Sequence, residues 1–100
     1  MSVAGRMRED GTLVIEVGGR FDFAAHREFR QAYASLEKGA PRVIVDLSRA
    51  EYLDSSALGM LLLLRQYAGG DHAQVTLARP SPSVRKILSI ANFHRLFRFE

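Results

Sequence analysis

Apolar and polar positions change their period along the chain, and each change marks an element. In "TLVIEVGG" Leu13, Ile15 and Val17 alternate with Val14, Glu16 and Gly18. That period of two predicts a strand with one apolar face. "GRMRE" precedes it, and Asp10-Gly11 lies between the two segments. Asp-Gly favours a primed hairpin turn, so the chain is predicted to open with an antiparallel hairpin. Gly18-Gly19 is the expected end of the second strand. The period then lengthens. In "FDFAAHREFRQAYASLEKGAP" Phe29, Ala32, Tyr33 and Leu36 recur three and four residues apart, while Arg27, Glu28, Arg30, Gln31, Glu37 and Lys38 fall mostly elsewhere. This is an amphipathic helix with Asp22 as its N-cap and Gly39 and Pro41 as its stop.

"RVIVDLS" follows with Val43, Ile44 and Val45 in an unbroken apolar run, the mark of a strand covered on both faces. A polar stretch, "SRAEYL", is expected to be a loop. "SALGMLLLLRQYAGG" reads as a helix ending at Gly69-Gly70, and "AQVTLA" as a further strand. In "SPSVRKILSIANF" Ser81 can cap and Pro82 suits the first turn, with Val84, Ile87, Leu88 and Ala91 on one face. "LFRF" closes the chain as a short last strand. The order is an opening β-hairpin whose second strand begins βαβαβα, with that final strand after the third helix. It predicts one α/β domain over residues 1–100, a mixed sheet of four to five strands with right-handed crossovers and three or more helices.

Composition narrows the chemistry. The 100 residues are 47% hydrophobic, enough for a real core, and contain no cysteine, so disulfides and Cys-ligated zinc are excluded. The N-terminus lacks an apolar signal core, and the longest apolar run, "ALGMLLLL", is far below the roughly 20 residues of a membrane span. A soluble, cytoplasmic protein that makes no membrane contact is expected. The net charge of +3 comes from scattered basic residues without a run of five, densest at Arg85, Lys86, Arg95 and Arg98. A solvated surface or an acidic protein partner fits this better than direct binding of nucleic acid.

The segment "LDSSALGMLLLL", residues 53–64, carries the candidate chemistry. A helix starting near Ser55 has N–H groups without intrahelical partners. Asp54 or Ser55 can cap them, worth about 1 kcal/mol. Ser56 is then spare, just inside the first turn. The plain reading of "DSS" is a helix start and nothing more. The helix behind it, however, is apolar nearly all round. Leu58, Leu61, Leu62 and Leu64 share one broad face, and Met60 and Leu63 fall away from its centre. Apolar area is therefore expected to face outward, as at protein contact sites, with methionine suited to repacking against a partner.

"VIVDLSRAEYLDSSALGMLLLL" resembles the signature segment of STAS domains, in particular stand-alone bacterial anti-sigma factor antagonists. "GRFD" before the first helix, "VTLARPSPSVRKIL" and "HRLFRF" follow in that family's order, so the resemblance spans nearly the whole chain. It implies a STAS-like fold and a non-enzymatic, partner-switching role without a cofactor. The unphosphorylated antagonist binds an anti-sigma factor that is also a serine kinase, and a client is released. The kinase phosphorylates the second serine of the pair and the complex separates; a PP2C-type phosphatase resets it. The implied phosphoacceptor is Ser56, with Asp54 and Ser55 as recognition and capping neighbours and Asp22 nearby. Met60 and Leu63 are added as docking residues from helix geometry. A monomer or weak dimer is expected. Where many members have glycine after the serines, this chain has Ala57, a better helix former.

Rival chemistries lack their motifs. "DSSAL" has neither glycine of a hydrolase's nucleophile elbow. His26, His72 and His94 read as surface histidines, and no metal-ligand spacing or phosphate-binding loop appears. The alternative is a constitutive interaction module of the same fold, the STAS subunit of an ABC-type lipid transporter.

Overall fold

The structure, a computed structural model, describes residues 2–34 and 42–100. Five strands form one sheet in the order β1-β2-β3-β4-β5: β1 Ser2–Met7, β2 Leu13–Phe21, β3 Val43–Leu53, β4 Val75–Ala78 and β5 Arg98–Phe99. β1 and β2 are antiparallel, and the other neighbours are parallel. Helices α1 His26–Tyr33, α2 Ser55–Tyr67 and α3 Pro82–Ile90 join the parallel strands in turn. This is the mixed α/β sheet that the pattern predicts. The expected α1 positions Leu36, Glu37 and Lys38 and its stop at Gly39 and Pro41 lie outside the described residues.

Strand order follows chain order, so right-handed crossovers place all three helices on one face of the sheet. The core has that geometry. One cluster holds Leu13, Ile15 and Val17 of β2, Val43, Val45 and Leu47 of β3 and Val75 and Leu77 of β4, together with Phe29, Leu61, Leu64, Val84 and Leu88 of the helices. The alternate strand residues Val14, Ile44, Thr76 and Ala78 stand outside it. The expectation that β3 is covered on both faces is therefore wrong. Ile44 is half-buried on the open face, in a row that reads Arg6, Val14, Ile44, Thr76, Arg98 across the sheet. Lateral apolar neighbours and long arginine stems at the row's ends are a sufficient shelter for such a side chain.

Local corrections have similarly definite causes. The hairpin turn is not the two-residue primed type. Gly11 donates to the Arg8 carbonyl at 3.0 Å, the Arg8 N–H donates to the Thr12 carbonyl at 2.8 Å, and Gly11 alone in the loop has positive φ, 87°. That is a type I turn closed by a left-handed glycine, braced by the Asp10 carboxylate accepting from the Thr12 N–H at 2.9 Å. β2 does not stop at Gly18-Gly19 but runs to Phe21. "SRAEYL" is the end of β3, not a loop. The β2–β3 pairing shifts register between Glu16 and Gly18 and again between Gly19 and Arg20. Each shift adds a residue to β3, so Leu47, Ala50 and Leu53 face the core three apart. A period-two count reads such a strand as irregular. Gly19, φ 77°, takes up the second shift in a conformation other residues rarely adopt.

Candidate functional site

The two registers bring the candidate residues to one edge. Phe21 pairs with Leu53, so β2 and β3 end side by side, and each is followed at once by an aspartate. The Asp54 N–H donates to the Phe21 carbonyl at 3.4 Å. The site thus lies at the carboxyl ends of parallel strands, where open α/β sheets place their sites.

Asp22 accepts from the Ala24 N–H at 3.0 Å and caps a short 3-10 turn, Phe23–Ala25. It does not cap α1, which starts at His26 without a side-chain cap. The sequence places the cap on the right residue but the wrong helix, because an aspartate two residues from its donor closes a local turn first.

At α2 the structure chooses between the two candidate caps. The Asp54 Oδ1 accepts from the Ala57 N–H at 3.0 Å, and Asp54 is the N-cap. Ser55 and Ser56 are the first two helical residues, Ser55 exposed and Ser56 half-buried. Among the described residues, no buried side-chain oxygen or nitrogen lacks a hydrogen-bond partner. The Ser56 hydroxyl makes none there, so its oxygen reaches solvent. It sits over the positive end of α2, a place that accepts negative charge.

The outward face of α2 differs from the expectation in two residues. Met60 is only 4% exposed, buried against the core, whereas Leu62 is 41% and Leu63 is 56% exposed. Buried Ala57, Met60, Leu61, Leu64 and Ala68 define the inner stripe. α1 packs beside α2 on the Met60 side and widens that stripe to include it, a contact no helical wheel contains. Leu63 projects outward as expected. Ser56, Met60 and Leu63 follow each other at four and three residues, so they share a line along the α1 side of the helix.

Two aromatic residues at this edge were not singled out from the sequence. Phe23 is 68% exposed and stacks on His26 with ring centroids 5.5 Å apart. Tyr52 is 39% exposed, and the Arg20 guanidinium lies 4.5 Å from its ring centroid. Arg20 also reaches Asp22 at 3.9 Å. Phe23 was legible as an aromatic outside the α1 stripe. Tyr52 was hidden because its segment reads as a loop.

The one acid of this half of the sheet with a marked shift lies on the open face. Burial disfavours the Asp46 carboxylate, but hydrogen bonds from Ser48 and the Arg79 guanidinium at 2.6 Å outweigh it, and its pKa falls below the usual value. Among the described residues no cluster of three or more His, Asp or Glu could hold a metal, and no helix is long and apolar enough to cross a membrane.

This arrangement, a sheet with helices on one face and a spare serine at the head of the second helix, defines a class of small α/β domain. A family profile described as "Mlab, STAS domain" matches residues 4–98. The chain belongs to the STAS family. It is 54% identical over 99 residues to a STAS-domain containing protein of Pseudomonas aeruginosa, covering 98% of both chains. It is 28% identical over 89 residues to the "Putative anti-sigma factor antagonist BtrV" of Bordetella bronchiseptica, covering 88% of this chain and 77% of that one. Its fold matches that of the anti-sigma factor antagonist SpoIIAA in its unphosphorylated form, with a TM-score of 0.76, 24% identity, and coverage of 99% of this chain and 87% of that one.

Proposed function

We propose that this protein is a non-enzymatic anti-sigma factor antagonist that works by partner switching, with its state stored as phosphate on Ser56. The observation that carries the reading is the division of labour at the head of α2. The Asp54 carboxylate holds the Ala57 N–H, so Ser56 is not needed for the helix and its oxygen reaches solvent. The likeness to BtrV and to SpoIIAA supports an anti-sigma factor as the partner, and in this reading that partner is also a serine kinase. Unphosphorylated, the chain binds that partner with the edge formed by Asp22, Asp54, Ser55, Ser56 and Leu63. Phosphorylation adds about −1.5 to −2 charges. The N-terminus of α2 favours that charge, so the fold persists and the partner is repelled. A hundredfold loss of affinity needs only about 2.7 kcal/mol, which one buried, unmatched charge at an interface supplies. A PP2C-type phosphatase restores the binding form.

The test is direct. The chain is mixed with a purified anti-sigma kinase and ATP, phosphate is mapped by mass spectrometry, and the reaction is repeated with Ser56→Ala. Phosphate persisting on another residue in that variant removes the site assignment. Ser56→Glu is expected to keep its circular-dichroism spectrum and lose partner binding; loss of the spectrum instead defeats the interface account.

The family description favours a second reading, a constitutive STAS subunit of an ABC-type lipid transporter. In that case a permease and ATPase co-purify with the chain, and Ser56→Ala leaves their assembly intact.

A further inference from the structure

Between α1 and α2 runs a groove of about 230 Å³ lined by Phe29, Tyr33, Met60 and Leu63, with His26 and Arg30 at its rim. Its floor is apolar, and among the described residues none that lines it carries a carboxylate. The neighbouring hollow on the outer side of α1 shares His26 and Arg30, adds Arg27, and likewise has no acid among the described residues that line it. Glu28 is two residues from both His26 and Arg30, which turns it to the other side of a 3.6-residue helix. Among the described residues neither Arg27 nor Arg30 forms an ion pair, although five other arginines do. The cations along this edge of α1 are therefore unspent, and they flank an apolar trough.

The α2 wall of the groove begins at Met60, one helical turn after Ser56. Ser56, Met60 and Leu63 lie on one line of α2, so Ser56 stands one turn before the groove on the same side of the helix, about 10 Å of helix rise from Leu63. We infer that the groove is the seat of an acidic amphipathic segment of the protein partner, its apolar side chains against the exposed Leu63 and over the apolar floor, and its carboxylates against Arg30 and Arg27. The inference rests on the partner-switching reading and adds the chemistry of the partner to it. It also says how the switch acts. A phosphate on Ser56 places negative charge one helical turn from a groove that has selected an acidic occupant, so the occupant is repelled beside the cations that had matched it.

The test measures affinity for the purified anti-sigma kinases of the source organism by titration calorimetry at several salt concentrations. Arg30 is exposed on α1, so Arg30→Glu leaves the fold intact. It should weaken binding about tenfold or more and flatten the salt dependence, as the loss of an interfacial charge match does. Leu63→Ala should weaken binding at unchanged salt dependence. Arg98→Glu, on the open face of the sheet, is the charge-matched control and should bind like wild type. Wild-type affinity and salt dependence in Arg30→Glu overturn the groove while leaving the Ser56 switch standing. Failure of every kinase to bind wild type overturns both. Arg30-dependent pelleting with phosphatidylglycerol vesicles, or an Arg30-dependent dimer in sedimentation velocity, without Arg30-dependent kinase binding, replaces the protein partner and also overturns the inference.

Discussion

Replacing Asp54 by alanine separates the two jobs performed at the head of α2. The variant loses the hydrogen bond from the Ala57 N–H to the carboxylate, 3.0 Å in the structure, but keeps the backbone bond from its own N–H to the Phe21 carbonyl. Loss of an aspartate cap costs about 1 kcal/mol, with a range of roughly 0.5 to 2. Loss of its charge at the positive end of the helix adds about 0.3 to 1 kcal/mol. The expected destabilisation is therefore about 1 to 2 kcal/mol, and a domain of this size loses roughly 4–8 °C of Tm for each kcal/mol. Asp54→Asn keeps a good cap without the charge and should recover most of the loss. Ser55→Ala and Ser56→Ala make no comparable change, since neither hydroxyl caps the helix; each is expected within about 0.5 kcal/mol of wild type. Chemical denaturation of the five proteins, wild type included, at neutral pH reads all the differences. If Ser56→Ala proves as costly as Asp54→Ala, the hydroxyl is structural, and the argument that it is free for modification fails.

Three further outcomes are expected. Gly59 lies in α2 without positive φ, and a Cβ built there meets nothing within 4 Å; Gly59→Ala should raise stability by about 1 kcal/mol in thermal denaturation. Leu61 is fully buried and Leu63 is not, so Leu61→Ala should cost about 2–5 kcal/mol and Leu63→Ala a small fraction of that, read from urea midpoints. The Asp46 pKa is depressed in the folded state, so its contribution is present above the ordinary carboxylate pKa and is lost as pH falls through the depressed value. Arg79→Ala should make the fall in stability below that pKa shallower, and an acid limb as steep as that of wild type in pH-dependent denaturation would contradict the assignment.

The readable part of this protein was local. Local patterns and turn residues placed all five strands, β3 too short, and all three helices, because each follows from which side chains a strand or helix turns to one side. Ser81 is the cap of α3, with Pro82 in the first turn, because that bond spans three residues. The start of α2 after Asp54 was equally plain. What the local pattern missed was longer in reach. β3 was cut short because its inward residues change period where it bulges against β2, and that change exists only as a pairing between strands. The same miss concealed Tyr52.

The candidate site divides along the same line. The amino-acid sequence by itself determined that an aspartate and two serines open an apolar helix, and that at most one of them is needed as its cap. Only tertiary structure decided that the cap is Asp54, that Met60 turns inward while Leu62 turns out, and that α1 lies close enough to make a groove beside the serine. Hydrogen-bond reach within a turn is set by a few consecutive residues. Which side of a helix is covered depends on a neighbour brought up from elsewhere in the chain, and no periodicity along one helix contains that information.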